Sequence, residues 1–268
     1  MLKFSSPAKY LFAAASVLAL ASCAHGNKNK LDTAYVARDV SSLYTAAQKA
    51  MNAGDYDQAA KLYDEVERQH PYSIWARRAQ LMSGFNYYLA QKYSDAVSSA
   101  RRFITIHPGS AEAAYAQYLI AMSYYQQIPD VARDQTTTQQ ALDAFGELVR
   151  RYPETRYAAD ARLKLDLIND HLAGKEMAVG RYYQRASQWL AATYRFRNVI
   201  DSYQTSSDAP EALERLVECY LALGMPEEAK KAGAVLGRNY PETFYYRQAL
   251  KLLGQDNKLI QRRTASRK

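Results

Sequence analysis

Five alanines, each twelve residues ahead of a position that ends a helix, constrain this chain more than any other feature. They run Ala59 to Pro71, Ala96 to Pro108, Ala141 to Pro153, Ala192 to Gln204 and Ala229 to Pro241. The residue before each end is His70, His107, Tyr152, Tyr203 or Tyr240. Seven residues after each alanine stand Val66, Phe103, Leu148, Val199 and Leu236. Four after it stand Tyr63, Ala100, Phe145, Phe196 and Gly233, so the last copy has drifted. A small residue on one helix lets another approach closely, and large ones on the facing side fill the gap. Proline ends the helix because it cannot continue the hydrogen-bond ladder.

Each copy also has an upstream helix. Gly84 and Tyr87 precede Ala96 by twelve and nine residues, as Gly180 and Tyr183 precede Ala192 and Val217 and Tyr220 precede Ala229. In the third copy the match is Ala121 and Tyr124, displaced by an insertion of eight residues that contains Pro129 to Asp134. Apolar residues fall at i, i+3 and i+4 and few segments alternate, which is the pattern of an all-α chain. Paired helices with a small-residue crossing resemble the tetratricopeptide repeat. One pair cannot bury its own apolar face, so pairs stack. The fold class expected is a superhelical array of about five tetratricopeptide-like helix pairs.

The stretch from Tyr157 to Ala173 falls outside the register and reads as an additional helix, continuous through Gly174 with the next copy's first helix. The domains expected are therefore repeats one to three over 39–156, a connecting helix with repeats four and five over 157–254, and a basic disordered tail over 255–268.

Stacked pairs curve, and their first helices line the concave side. In copies one to three the register places Tyr44, Met51, Arg78, Leu81, Phe85, Tyr88, Tyr115, Tyr118, Met122 and Tyr125 there. The matching positions in copies four and five are mostly polar: Arg181, Gln184, Arg185, Glu218, Leu221 and Ala222. Tyrosine gives large contact area with a polar tip, and methionine adapts to varied partners. An aromatic groove of this kind suits an extended or helical peptide with aromatic anchors. The same residues can instead pack against the next repeat.

The amino terminus has its own signature. Lys3 and Lys9 precede and flank an apolar stretch from Tyr10 to Ala21, followed by Leu20-Ala21-Ser22-Cys23. That is a secretory signal with a small-residue cleavage site, too short for a comfortable membrane span. A cysteine at that place matches the lipobox of bacterial lipoproteins. The expectation is a signal peptide over 1–22, an acylated (palmitate-bearing) Cys23 and a flexible linker over 23–38. Ala24, and not aspartate, follows the cysteine, which by resemblance to lipoproteins favours the periplasmic face of the outer membrane.

The net charge of +8 does not point to nucleic acid. Loss of Lys3 and Lys9 leaves +6, and the tail from Gln255 carries five cations against Asp256, so the body is only +2. Of the two cysteines, Cys219 sits in an amphipathic run and reads as a buried small hydrophobe. Neither HExxH nor GxSxG nor a phosphate-binding loop is present. Three of the four histidines, His25, His70 and His107, lie in the linker or before helix-ending prolines. The reading is a non-enzymatic protein with no cofactor and no metal site.

A lipobox, a short linker, five such repeats and a basic tail resemble the BamD-type outer-membrane assembly lipoproteins. The specific matches are Gly54-Asp55-Tyr56-Asp57-Gln58-Ala59, His70-Pro71-Tyr72-Ser73, Arg133-Asp134 followed by Gln140-Ala141, and Val179-Gly180-Arg181-Tyr182-Tyr183. The resemblance implies a scaffold of the β-barrel assembly (BAM) complex. It implies that the carboxy-terminal repeats grip the membrane-proximal POTRA domain of BamA, with Arg195 in an ion pair. It also implies that the amino-terminal repeats receive the aromatic-ended signal of unfolded outer membrane proteins, and that other BAM lipoproteins join. The competing expectation is a periplasmic repeat lipoprotein that organises peptidoglycan or cell-envelope enzymes.

Overall fold

The computed structural model describes residues 39–265, with side chains through Gly254, so the signal, Cys23 and the linker to Arg38 lie outside the described residues. From Asp39 onward the chain forms one compact unit. Its elements are α1 (Val40–Asn52), α2 (Tyr56–Gln69), α3 (Ile74–Leu89), α4 (Tyr93–Ile106), α5 (Ala113–Tyr125), α6 (Thr136–Arg151), α7 (Arg156–Arg185), α8 (Trp189–Ser202), α9 (Ala209–Ala222), α10 (Pro226–Asn239) and α11 (Phe244–Ala265). No strand occurs among the described residues. Each helix packs on the next in sequence, and first helices of successive repeats touch, as α3 does α5.

The alanine register accounts for this packing. Ala59, Ala96, Ala141, Ala192 and Ala229 are all fully buried, as are Val66, Phe103, Leu148, Val199 and Leu236 seven residues on. Gly84 explains how close the first helices come: a Cβ there would lie 3.3 Å from Leu119 Cδ2. The drifted Gly233 also has a reason. A Cβ on it would fall 2.7 Å from Leu253 Cδ1 of α11, which packs on α9 and α10 as one more first helix.

Both kinds of turn repeat. Between first and second helices the chain passes through a left-handed residue at Gly54 (φ 80°), Gln91 (φ 59°), Ser187 (φ 57°) and Gly224 (φ 73°). The first two and the last two are each separated by the 37-residue period of the sequence. Non-glycine residues there carry strain from the Cβ, so the turn geometry is imposed by the packed helices on either side. At the second-helix ends, His70, His107, Tyr152, Tyr203 and Tyr240 all adopt the same non-helical cap, with φ between −126° and −137° and ψ between 46° and 56°. A Ser or Thr three residues on donates its N–H to each cap's carbonyl, as Ser73 does to His70 at 3.0 Å and Ser206 to Tyr203 at 3.0 Å. Gln204 in place of proline therefore changes nothing at the end of α8.

α7 is one unbroken helix of 30 residues. It leads out of the first three repeats and supplies the first helix of the fourth. The tail differs from expectation: the segment read as disordered from Gln255 continues α11 to Ala265. The run Gln255 to Ala265 holds no Gly or Pro, and once a helix is nucleated each further residue adds a hydrogen bond.

Candidate functional site

Seven of the ten groove residues expected from the register come together on a single half-buried face of α3, α5 and the start of α7; Tyr44, Met51 and Arg78 do not. Leu81, Phe85 and Tyr88 on α3 and Tyr118, Met122 and Tyr125 on α5 all pack as partly buried side chains against one core. Their rings form a chain: Phe85 to Tyr115 at 6.4 Å, Tyr115 to Tyr157 at 5.5 Å, Tyr157 to Tyr118 at 5.2 Å. Tyr118 and Tyr125 each meet the fully buried Phe145 edge-on, at 6.4 and 6.0 Å. Such tilted and edge-on pairs fix ring orientation beyond what area burial alone does.

The polar tips are also ordered. Tyr118 donates its hydroxyl to Asp160 Oδ2 at 2.7 Å, and Gln126 Nε2 donates to the Tyr88 hydroxyl at 3.3 Å. Lys164 Nζ stands 5.3 Å over the Tyr125 ring. Burial, with Tyr157 and Tyr88 beside it, pushes the Tyr115 phenol up to about 12. Burial and the Asp160 carboxylate raise that of Tyr118 further still. These phenols stay neutral, so they serve as apolar contact surface and as hydrogen-bond donors and acceptors.

Tyr44 does not belong to this face. Only 4% of it is exposed, and its ring lies 5.3 Å from Tyr63 and 4.7 Å from Trp75. Trp75 from α3 closes over α1 there. Met51 is half-buried against the same small core, and its sulfur accepts from Asn86 Nδ2 at 3.6 Å. Arg78 is exposed and forms no ion pair among the described residues. Its charge reaches Tyr44 and Tyr63, opposing the rise that burial gives their phenols.

Three residues of this face escaped the sequence reading: Tyr157, Asp160 and Lys164, all on α7. Their spacing, i, i+3 and i+7, places them on one side of a helix. That signal was available, but it lies in the segment outside the repeat register.

The carboxy-terminal half is polar and internally matched. Arg181 donates to Glu211 twice, at 2.9 and 2.8 Å. Gln184 donates to Glu218 at 2.6 Å, and Arg215 reaches Glu211, Glu214 and Glu218 within 3.7 Å. Tyr245 of α11 adds a bond to Glu211 at 3.4 Å. Arg181 and Glu218, expected to line an open groove, are therefore matched within the fold. α8 is different. Leu190 and Tyr194 are 74% and 71% exposed, and they border a cavity of about 460 Å³ with Thr193, Arg197, Asn198 and Asp201. Arg195 lies beside them, half-buried, donating to Glu176 Oε2 at 3.2 Å.

Among the described residues no group of three or more His, Cys, Asp or Glu could hold a metal ion, and no helix is long and apolar enough to cross a membrane. Cys219 is fully buried, and burial pushes its thiol up to about 11.

Fold and faces define a helical-repeat protein with a half-buried aromatic face in one half and an exposed helix face on α8 in the other. The sequence profile of the outer membrane lipoprotein family YfiO matches residues 36–236, and the chain belongs to that family. It is 49% identical over 250 residues to the outer membrane protein assembly factor BamD of Caulobacter vibrioides, covering 93% of this chain and 82% of the relative. It is 42% identical to the BamD of Rickettsia prowazekii, covering 85% of this chain and 91% of the relative. Among solved structures, the TPR domain of P58(IPK) aligns with a TM-score of 0.42 at 14% identity, covering 96% of this chain and 61% of that one.

Proposed function

We propose that this protein is a non-catalytic assembly factor for outer membrane β-barrel proteins, held at the periplasmic face of the outer membrane by acylated Cys23. The aromatic face of repeats two and three receives the aromatic-ended terminal segment of an unfolded barrel protein. α8 presents Arg195 to the membrane-proximal POTRA domain of BamA, as part of a BAM complex that includes other lipoproteins. One observation carries the first part: the ring chain from Phe85 through Tyr115 and Tyr157 to Tyr118, half-open and tipped with ordered hydroxyls. An aromatic side chain of a peptide can add to that chain, while tyrosine hydroxyls and Gln126 meet its backbone. Membership of the lipoprotein family and BamD relatives of similar length support the setting.

The test is fluorescence anisotropy with a labelled peptide ending in Phe. Wild type binds, and Tyr88→Ala and Tyr157→Ala each weaken binding about tenfold, in keeping with ~1–1.5 kcal/mol for an aromatic contact. Equal affinity in all three proteins would remove the groove.

A further inference from the structure

The two larger cores change hands inside α7: Leu172 belongs to the amino-terminal one and Ala173 to the next. α7 packs on α6 before that point and on α8 after it, so both halves share this rod. Gly174 sits at the junction, and glycine is the least favourable residue in a helix interior after proline. Long helices bend, and they do so where the backbone is least supported.

The junction is braced from two sides. Lys175 Nζ donates to the carbonyl oxygens of Ala132 and Arg133, at 3.0 and 3.4 Å. A Cβ on Gly174 would lie 3.9 Å from Val131 Cγ1 and 3.7 Å from Asp208 Oδ2. The insertion and the segment leading into α9 therefore both approach the helix there. On the second side, Asp170 Oδ1 accepts the backbone N–H of Ser207 at 2.8 Å.

The insertion is stiff in itself. Gln135 Nε2 donates to the carbonyls of Asp130 and Arg133, both at 3.0 Å, and Asp130 Oδ1 accepts the N–H of Ala132 at 2.8 Å. Its carbonyls are thus preset where the ammonium of Lys175 meets them. The next residue, Glu176, holds Arg195. Within residues 170–176, α7 grips the insertion, α8 and the turn between α8 and α9.

We propose that Lys175, through the 128–135 segment it holds, is a positioning residue that fixes the angle between the aromatic face and the Arg195 face. This rests on the function proposed above and assigns a role to the insertion, which a plain repeat connection does not need. A peptide held on one half then stands at a set orientation to whatever the other half grips.

The test uses the full acylated chain with spin labels on Gln48→Cys of α1 and Lys230→Cys of α10, both exposed sites. The buried Cys219 stays unlabelled. Double electron–electron resonance should give one narrow distance distribution. Lys175→Ala should at least double its width without changing helicity, and Lys175→Arg, which still donates to the carbonyls, should restore it. In reconstituted barrel assembly Lys175→Ala should lower the yield about threefold, while peptide affinity and capture through Arg195, each measured alone, stay within twofold. An unchanged distance distribution overturns the brace. A widened distribution with full assembly yield overturns the positioning role. Loss of peptide binding and capture in the parent would defeat the function proposed above, and the distance measurement would still decide the brace.

Discussion

Arg195 on α8 donates to Glu176 on α7 at 3.2 Å, so the side chain proposed to grip an outside partner is already held within its own fold. The guanidinium stays partly open, with 36% of the side chain exposed against 16% for Glu176. It also lies 5.9 Å from the centre of the exposed Tyr194 ring. A partly exposed pair of this kind contributes at most ~1 kcal/mol. A partner carboxylate can therefore replace or share Glu176 at small cost.

Two substitutions separate the roles of that pair. Arg195→Glu sets two carboxylates face to face and should abolish co-purification of BamA. Its melting temperature should fall by no more than roughly 4 °C, as ~1 kcal/mol implies for a chain of this size. Glu176→Gln frees the guanidinium and should leave BamA capture intact or stronger. Should Glu176→Gln lose capture as fully as Arg195→Glu, the pair would be structural and the docking role of Arg195 would fall.

Stability should depend on pH through Glu214, which is 6% exposed among Glu211, Arg215 and Glu218. Burial first, then the charge of Glu218, pushes its carboxyl from 4.5 up to about 7, with Arg215 opposing. The folded chain thus holds a proton that the unfolded chain releases between those values. Its contribution is fully present below about pH 4.5 and is lost as pH rises through about 7. Glu211 is shifted the other way, since Arg181 and Arg215 outweigh its burial, and its titration falls below this window. Glu214→Gln keeps the neutral form at every pH. It should match wild type in thermal melts at pH 4 and exceed it at pH 8 by on the order of 1–3 kcal/mol. An equal difference at both values would mean that Glu214 does not titrate there.

How far the sequence reaches can be read from particular residues. The five alanines were legible because a crossing of two helices tolerates only a small side chain, whatever surrounds it, and all five are buried. Continuity of α7 through Gly174 was legible because no proline interrupts it. Tyr44 was not, because its burial depends on Trp75, which lies 31 residues on and belongs to another helix. Nor was the Arg195–Glu176 pair, whose members share no helix and no register. Periodicity gives the face of a helix, whereas the filling of that face is set by neighbours that only the assembled array brings near. Tyr157, Asp160 and Lys164 stand between these cases: their spacing was visible, and their meeting with Tyr115, Tyr118 and Tyr125 was not.

The closeness of helices in repeat four can be measured with two glycines of opposite surroundings. Gly180 of α7 faces Phe196 of α8, which is fully buried, and a Cβ would lie 2.5 Å from Phe196 Cε1. A buried ring between packed helices has little room to retreat, and overpacking of this kind costs ~1–3 kcal/mol. Gly146 lies within α6 with nothing within 4 Å of an added Cβ. There the methyl group only removes backbone freedom from the unfolded chain, which stabilises by ~0.5–1 kcal/mol. Gly180→Ala should therefore lower the urea midpoint and Gly146→Ala should raise it, with the slope of the transition unchanged in both. The opposite signs follow from one cause, the presence or absence of a ring opposite the glycine. Equal shifts in the two proteins would show that helix propensity, and not the approach of α7 to α8, governs position 180.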